Sequence, residues 1–126
     1  MSRILVVDDT RTLREAYAFV LREEGHEVEC ASSGADGLQR VAAHRPDLIV
    51  LDMVMPDGDG LSFLERLPFV CALPLPPVIA NSGLDTFAGP ARQRGAAGFL
   101  LKPVETGELV AAVRGLLAAI AGGLAA

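Results

Sequence analysis

The feature that most constrains the fold is an alternation of short aliphatic runs with stretches of helical spacing, repeated along the whole chain. The runs are Arg3 to Val7, Val28 to Ala31, Leu48 to Leu51, Val78 to Ala80 and Phe99 to Leu101. They are nearly continuous in apolar residues, which is typical of strands covered on both faces. We therefore predict a (βα)5 chain of the α/β class, with helices on both sides of a parallel sheet.

Helical periodicity separates these runs. In the first helical stretch, apolar residues recur at i, i+3, i+4, i+7 and i+8, and Gly25 follows as the terminating residue. The apolar residues of this face are Leu13, Ala16, Tyr17, Val20 and Leu21. The last helix has a similar pattern and starts near Glu105 and Glu108, where negative charge suits a helix N-terminus.

Prolines interrupt this pattern in two segments. Pro90 in a helix interior would remove a hydrogen bond, so we predict a short fourth helix from about Pro90 to Arg94 after an irregular loop. The segment LPFVCALPLPP predicts a stiff connection that braces the fold ahead of the fourth strand.

Length and charge limit the classes of function. The 126 residues, 51% of them hydrophobic, are enough for one domain, which we place at 1–121 with a frayed tail at 122–126. The net charge of -5 disfavours direct binding of nucleic acid or a membrane surface and favours a site for a cation. Cys30 and Cys71 lack metal-type spacing, and no leader precedes the first strand, so we expect a cytoplasmic protein. The domain is either stand-alone or part of a longer protein.

Polar residues stand just past four of the five predicted strands. They are Asp8, Asp9, Asp52, Asn81, Ser82 and Lys102, and Pro103 directly follows Lys102. Because the carboxyl ends of parallel strands meet at one edge of a sheet, we expect these residues to converge there. Carboxylates about 4 to 5 Å apart repel by roughly 3 to 4 kcal/mol at an effective dielectric of about 20. Their oxygen donors favour a hard cation such as Mg²⁺ over zinc.

Four motifs occur in a fixed order, and together they resemble the receiver domains of two-component response regulators, the CheY-like family. They are ILVVDD, PDLIVLDMVMPDGDG, VIANSG and GFLLKP. The resemblance implies a flavodoxin-like, doubly wound sheet in the order 2-1-3-4-5. It also implies that Asp52 accepts a phosphoryl group from a histidine kinase or a histidine phosphotransfer protein, and that the changed surface signals to an unidentified downstream protein. Such a domain catalyses only its own phosphorylation and dephosphorylation.

The resemblance also assigns roles at the metal site. Asp9 matches the direct Mg²⁺ ligand, Asp8 a neighbour that acts partly through water, and the main-chain carbonyl of Val54 a further ligand beside Asp52. Mn²⁺ is an expected substitute for Mg²⁺.

Residues of the last two strands match the parts that contact and sense the phosphoryl group. Lys102 would pair with phosphoryl oxygens, and Ser82 would donate a hydrogen bond to them. Phe99 would turn inward when Ser82 moves, and Lys102 and Pro103 would be joined by a cis peptide bond. Val54 and Leu84 would flank the path of the hydrolytic water, and because neither can orient that water, we expect a long-lived phosphoryl group.

Each assignment has a simpler alternative. Asp8 and Asp9 could only cap the first helix, and Ser82 could only form a turn. Lys102 could be an ordinary surface lysine, and Phe99 an ordinary core residue. The apolar last helix, with Val110, Leu117 and Leu124, indicates either a homodimer interface or an alanine-rich helix with exposed leucines.

Three rival classes remain open at this stage. A phosphatase of the haloacid-dehalogenase type also uses a strand-end Asp, but it needs an acid where this chain has Val54. In a flavodoxin, Asp8 and Asp9 would repel the flavin phosphate. A degenerate receiver would act as an interaction scaffold that does not depend on phosphorylation.

Overall fold

The strands and helices alternate from one end of the chain to the other. The computed structural model describes residues 2–56 and 60–122. The strands are β1 (Arg3–Val7), β2 (Glu27–Ala31), β3 (Leu48–Asp52), β4 (Val78–Ser82) and β5 (Gly98–Leu101). The helices are α1 (Arg11–Glu23), α2 (Gly34–Ala43), α3 (Gly60–Arg66), α4 (Ala88–Gln93) and α5 (Thr106–Ala121).

All neighbouring strands pair in parallel, in the order β2-β1-β3-β4-β5. This order confirms the predicted flavodoxin-like α/β fold. The chain reverses its direction of winding between β1 and β3, which is where doubly wound sheets form their ligand crevice. The polar residues after β1 and β3 therefore lie at the expected position for a site.

The sheet separates two hydrophobic cores, because successive side chains of a strand point to opposite faces. One face, called here the α1/α5 face, packs against α1 and α5. Its buried core comprises Ile4, Val6, Tyr17, Leu21, Leu48, Val50, Ile79, Leu109 and Val113. The opposite face, called the α2/α3/α4 face, packs strand residues such as Leu5 and Ile49 against Val41, Phe63 and Ala91 of those three helices.

The predicted apolar face of α1 is partly wrong. Tyr17 and Leu21 are buried as expected, but Ala16 is exposed and Ala18 is buried instead. Ala18 lies one turn before Leu21, so the buried stripe of the helix runs through Tyr17, Ala18 and Leu21. After the helix, Gly25 has a φ of 92°, which explains the glycine at this end.

The predicted bounds of the fourth helix are also wrong. Helix α4 spans Ala88–Gln93, and a 3₁₀ turn (Asp85–Phe87) precedes it in place of an irregular loop. Pro90 is the third residue of α4, where a backbone N–H has no intrahelical acceptor, so the helix can begin before the proline. The start of α5 follows the prediction, since Glu105 and Glu108 form a capping box.

The proline-rich connection before β4 is held by a side chain from the loop after α2. The Arg45 guanidinium donates to the carbonyl of Ala72 at 2.8 Å and to that of Pro74, and it contacts Cys71 Sγ. These bonds support the predicted bracing role.

Some predictions about the C-terminal part lie beyond what the structure describes. The tail predicted for 122–126 falls outside the described residues except for Gly122, as does Leu124. Val110 and Leu117 of α5 are half-buried, so the homodimer stays a prediction. Within the described ranges, every helix is too short or too polar to cross a bilayer.

The close packing of Gly60, the first residue of α3, against the end of β3 can be tested by substitution. A Cβ at this position would lie 2.5 Å from Met53 Sδ, 2.9 Å from Met53 Cα and 3.0 Å from the Asp52 carbonyl oxygen. Because two of these atoms are backbone, we expect Gly60→Ala to lower the free energy of unfolding by about 1 to 3 kcal/mol.

The matched control is Gly115→Ala in α5, where an added Cβ meets nothing within 4 Å. It should raise the free energy of unfolding by about 0.5 to 1 kcal/mol through helix propensity. Denaturant titration measures both variants, and equal effects would contradict the close approach at Gly60.

Candidate functional site

Two buried carboxylates and one ammonium group meet at the carboxyl edge of the sheet. Asp8 and Asp52 are 1% and 3% exposed. Lys102 Nζ lies 3.4 Å from Asp8 Oδ2 and 3.3 Å from Asp52 Oδ1, and its side chain is 20% exposed. Lys102 is therefore not an ordinary surface lysine.

The alternation of the strands explains this meeting. Asp52 follows Val50 by two residues in β3, so its side chain points to the α1/α5 face. Asp8 follows Val6 in the same way just past β1, and Lys102 follows Leu100 just past β5. The backbone N–H of Asp8 still donates to the Ala31 carbonyl at 3.1 Å, which extends the β1 pairing up to the site.

Asp8 is fixed from two further sides. Its Oδ1 accepts a hydrogen bond from the Thr10 N–H at 2.9 Å, and its carbonyl accepts one from Arg14 Nη1 at 2.8 Å. The N-cap of α1 is Thr10. Asp8 is therefore held in the loop before the helix, and it does not cap the first turn of α1.

The chemistry of the donors fits a hard divalent cation. Asp8, Asp9 and Asp52 each offer a carboxylate oxygen, and these oxygens all lie within 4.8 Å of one another. Asp9 is exposed while its two neighbours are buried, so the group opens to solvent on one side. Oxygen donors in this number suit Mg²⁺, which keeps several of its waters.

Burial and charge act together on Asp52. Burial is the largest cause that raises the pKa of Asp52, and the neighbouring Asp8 charge adds to it. Lys102 and the Val54 N–H, 3.3 Å from Asp52 Oδ1, act in the opposite direction. The resulting pKa of about 6 shows that one ammonium group does not fully compensate the two buried carboxylates.

Ser82 and Phe99 belong to the other face of the sheet. Ser82 follows Ala80 of the α2/α3/α4 core, and its Oγ accepts a hydrogen bond from the Leu84 N–H at 3.0 Å. An oxygen that accepts one bond can still donate its proton. Phe99 pairs with Ala80 in register and is half-buried against the same core. The structure gives a cis peptide bond between Lys102 and Pro103.

Sequence reasoning missed one residue of this region and gave no role to another. Tyr17 was assigned only to the apolar face of α1, yet its hydroxyl is buried, and burial together with the charges of Asp8 and Asp52 raises the pKa of Tyr17 to about 12. Asn81 is 2% exposed and pairs with Asp52 in register. A polar residue inside the apolar run VIANS was the available signal.

Comparison with known proteins agrees with this geometry. The family model of the response regulator receiver domain matches residues 4–114. The chain is 36% identical over 118 residues to the transcriptional regulatory protein AfsQ1 of Streptomyces coelicolor, covering 93% of this chain and 52% of AfsQ1. It is 39% identical over 117 residues to the response regulator MprA of Mycobacterium leprae, covering 91% of this chain and 50% of MprA.

A solved structure shows the same architecture. The crystal structure of a CheY-like receiver domain protein from Methanospirillum hungatei superposes with a TM-score of 0.85 at 26% identity, covering 93% of this chain and 94% of that one.

The fold and the acidic edge thus define a receiver domain of two-component signalling. The chain belongs to the response regulator receiver domain family. It spans about half the length of the curated relatives it matches, and the names of these relatives describe regulators.

Asp52 makes stability depend on pH. Its folded-state pKa of about 6 lies above the ordinary value of 3.8, so the folded protein loses stability as the pH rises through about 6. Asp52→Asn removes the buried charge. Because each pKa unit corresponds to about 1.4 kcal/mol, we expect this variant in EDTA at about pH 8 to gain about 1 to 3 kcal/mol in unfolding free energy.

This gain should disappear below about pH 4, where Asp52 of the wild type is protonated in both the folded and the unfolded state. Denaturant titration at several pH values measures it. The control is Asp9→Asn, which removes an exposed carboxylate and no buried charge. A variant at position 52 that is no more stable than the wild type at about pH 8 would contradict the balance of charges described above.

Proposed function

We propose that Asp52 accepts a phosphoryl group from a histidine kinase or a histidine phosphotransfer protein in a Mg²⁺-dependent reaction. The observation that carries the proposal is the position of Lys102 Nζ, within 3.4 Å of both Asp8 and Asp52 at an open acidic edge. An ammonium group at this distance would pair with the oxygens of a phosphoryl group bound to Asp52.

The reaction is a transfer between two nucleophiles. A carboxylate oxygen of Asp52 forms a bond to phosphorus while the phosphorus–nitrogen bond of the donor's phosphohistidine breaks, and the imidazole leaves with the bonding pair and takes up a proton. The product is an acyl phosphate. Asp52 attacks as the carboxylate, and a divalent cation bound beside it would favour this ionised form.

The residues that would hold the cation are Asp8, Asp9 and Asp52, with the main-chain carbonyl of Val54 as the further predicted ligand. When bound there, Mg²⁺ or Mn²⁺ would offset the negative charge of the carboxylates and of the phosphoryl oxygens. Lys102 alone supplies one positive charge against three carboxylates.

The signalling step would cross from one face of the sheet to the other. The Ser82 hydroxyl would turn toward the phosphoryl oxygens, and Phe99 would fill the space behind it. Ser82 pairs with Leu101 in register, and Phe99 pairs with Ala80, so Ser82 and Phe99 lie diagonally across β4 and β5. The altered surface would bind a downstream protein in the cytoplasm.

Acetyl phosphate tests the proposal directly. Wild type incubated with acetyl phosphate and Mg²⁺ should gain one phosphate by intact-protein mass, and EDTA should prevent the gain. Asp52→Asn should gain none, and Lys102→Met should gain it more slowly. Continuous turnover of acetyl phosphate would favour a phosphatase instead. A wild type that gains no phosphate from this donor or from a phosphorylated kinase would favour a scaffold that does not depend on phosphorylation.

Val54 governs the lifetime of the phosphoryl group in this proposal. Val54 and Leu84 are 50% and 55% exposed, and both are aliphatic. Neither side chain can hydrogen-bond a water molecule near the acyl phosphate. We expect Val54→Asn to increase the rate of phosphate loss severalfold, measured by intact mass after the donor is removed.

Leu73→Asn is the matched control, because Leu73 is 80% exposed in the proline-rich connection before β4. Its phosphate should be lost at the wild-type rate. A Val54→Asn variant with unchanged or slower loss would show that an orienting side chain is not what limits hydrolysis.

A further inference from the structure

Two buried polar atoms without a protein hydrogen-bond partner lie on the α1/α5 face of the described structure. They are the Tyr17 hydroxyl and Asn81 Oδ1, in side chains that are 4% and 2% exposed. A third such atom in the described ranges, His26 Nδ1, lies before β2 at the other edge of the sheet. Buried polar atoms are nearly always paired. A donor and an acceptor that both lack a partner on the same face of the sheet therefore call for a common explanation.

Register places Asn81 between the reactive side chains. It pairs with Asp52 on one side and with Leu100 on the other, and Leu100 precedes Lys102 by two residues. Asn81 follows Ile79 of the α1/α5 core, so its amide lies on the same face as Asp52. Asn81 Nδ2 donates to the Leu51 carbonyl at 3.1 Å. This bond sets the orientation of the amide and leaves Oδ1 as the free acceptor.

Tyr17 approaches the same region from the helix. Its ring packs in the core that contains Val6 and Val50, each two residues before a carboxylate of the site. Burial is the largest cause that raises the pKa of its phenol, and the charges of Asp8 and Asp52 add to it, so the phenol lies within electrostatic range of both carboxylates.

The two atoms are complementary to the charged layer above them. The phenol offers a proton, which carboxylates attract, and the amide oxygen offers a lone pair to an ammonium group. Lys102 has three N–H donors, and its described contacts are with Asp8 and Asp52. A strand interior and a helix core would ordinarily hold apolar side chains at these positions.

We propose that the Tyr17 phenol and the Asn81 amide form one polar unit on the same face of the sheet as Asp8, Asp52 and Lys102, and that this unit positions Asp52 and Lys102 for phosphoryl transfer. The role rests on the proposed function of Asp52. Both are positioning residues, since they act through the charged layer and contact no phosphoryl group.

The composition of the chain offers a direct readout of the unit. Tyr17 is the only tyrosine, and the chain has no tryptophan, so intrinsic phenol fluorescence reports on Tyr17 alone. In metal-free buffer, we expect Asp52→Asn to increase the emission, because a carboxylate near the phenol is removed. We expect Asn81→Leu to change it as well, because the polar amide beside Asp52 is replaced by an apolar side chain.

The control for these spectra is Val113→Ala on α5. This variant creates a cavity in the same core and removes no polar group. If Asp52→Asn and Asn81→Leu change the Tyr17 emission no more than Val113→Ala does, the unit does not exist.

A double-mutant cycle tests the positioning role. The rate constant for phosphorylation by acetyl phosphate is compared in wild type, Tyr17→Phe, Asn81→Leu and the double variant. Each single change should lower the rate about three- to tenfold, and the double variant should be no slower than the slower single one. Rate losses that multiply, or that match those of Val113→Ala at equal thermal stability, would overturn the proposal.

The two proposals fail in different ways. If the wild type takes up no phosphate, the proposed function is wrong, and the emission of Tyr17 still decides whether the unit exists. If all four proteins are labelled at Asp52 at one rate, the proposed function stands and the positioning role is overturned.

Discussion

The contact of one ammonium group with two buried carboxylates is the interaction on which the site depends. Lys102 Nζ lies within 3.4 Å of Asp8 and Asp52, which come from the two strands next to the reversal of winding. A buried carboxylate without a partner would be strongly destabilising. The three residues are 94 positions apart at their extremes, so this contact exists only when β1, β3 and β5 are correctly ordered in the sheet. The fold and the site therefore specify each other.

Much of the fold and of the site's membership could be predicted from the sequence, because both follow from strand alternation and strand ends. The continuous runs ending at Asp8, Asp52 and Lys102 indicated a parallel sheet with a charged edge. The start of α4 was missed because Pro90 is tolerated throughout a first turn, so a proline limits where a helix can start without fixing its first residue. The exposed Ala16 was missed because periodicity gives the spacing of a buried stripe and leaves its rotation to packing.

The unpaired polar atoms of Tyr17 and Asn81 were beyond prediction, although Asn81 itself was expected at the carboxyl edge of the sheet. Tyr17 and Asn81 lie on different elements, and each looks ordinary in its own segment: a tyrosine on an amphipathic helix and an asparagine near a strand end. Only the three-dimensional structure shows that both leave a buried polar atom unpaired on the same face. The same holds for Arg45, whose guanidinium donates to the carbonyls of Ala72 and Pro74, which lie 27 and 29 positions further along the chain.

The balance of charge at the edge would favour a bound cation both with Asp52 unmodified and with the proposed phosphoryl group. Three carboxylates and one ammonium group leave two negative charges within a few ångströms, in a chain whose net charge is already -5. Burial is the largest cause of the raised pKa of Asp52, and the charge of Asp8 adds to it. A phosphoryl group would replace the single charge of Asp52 by about 1.5 to 2 negative charges, so modification would deepen the imbalance. A divalent ion at Asp8, Asp9 and Asp52 would offset this negative charge in both states.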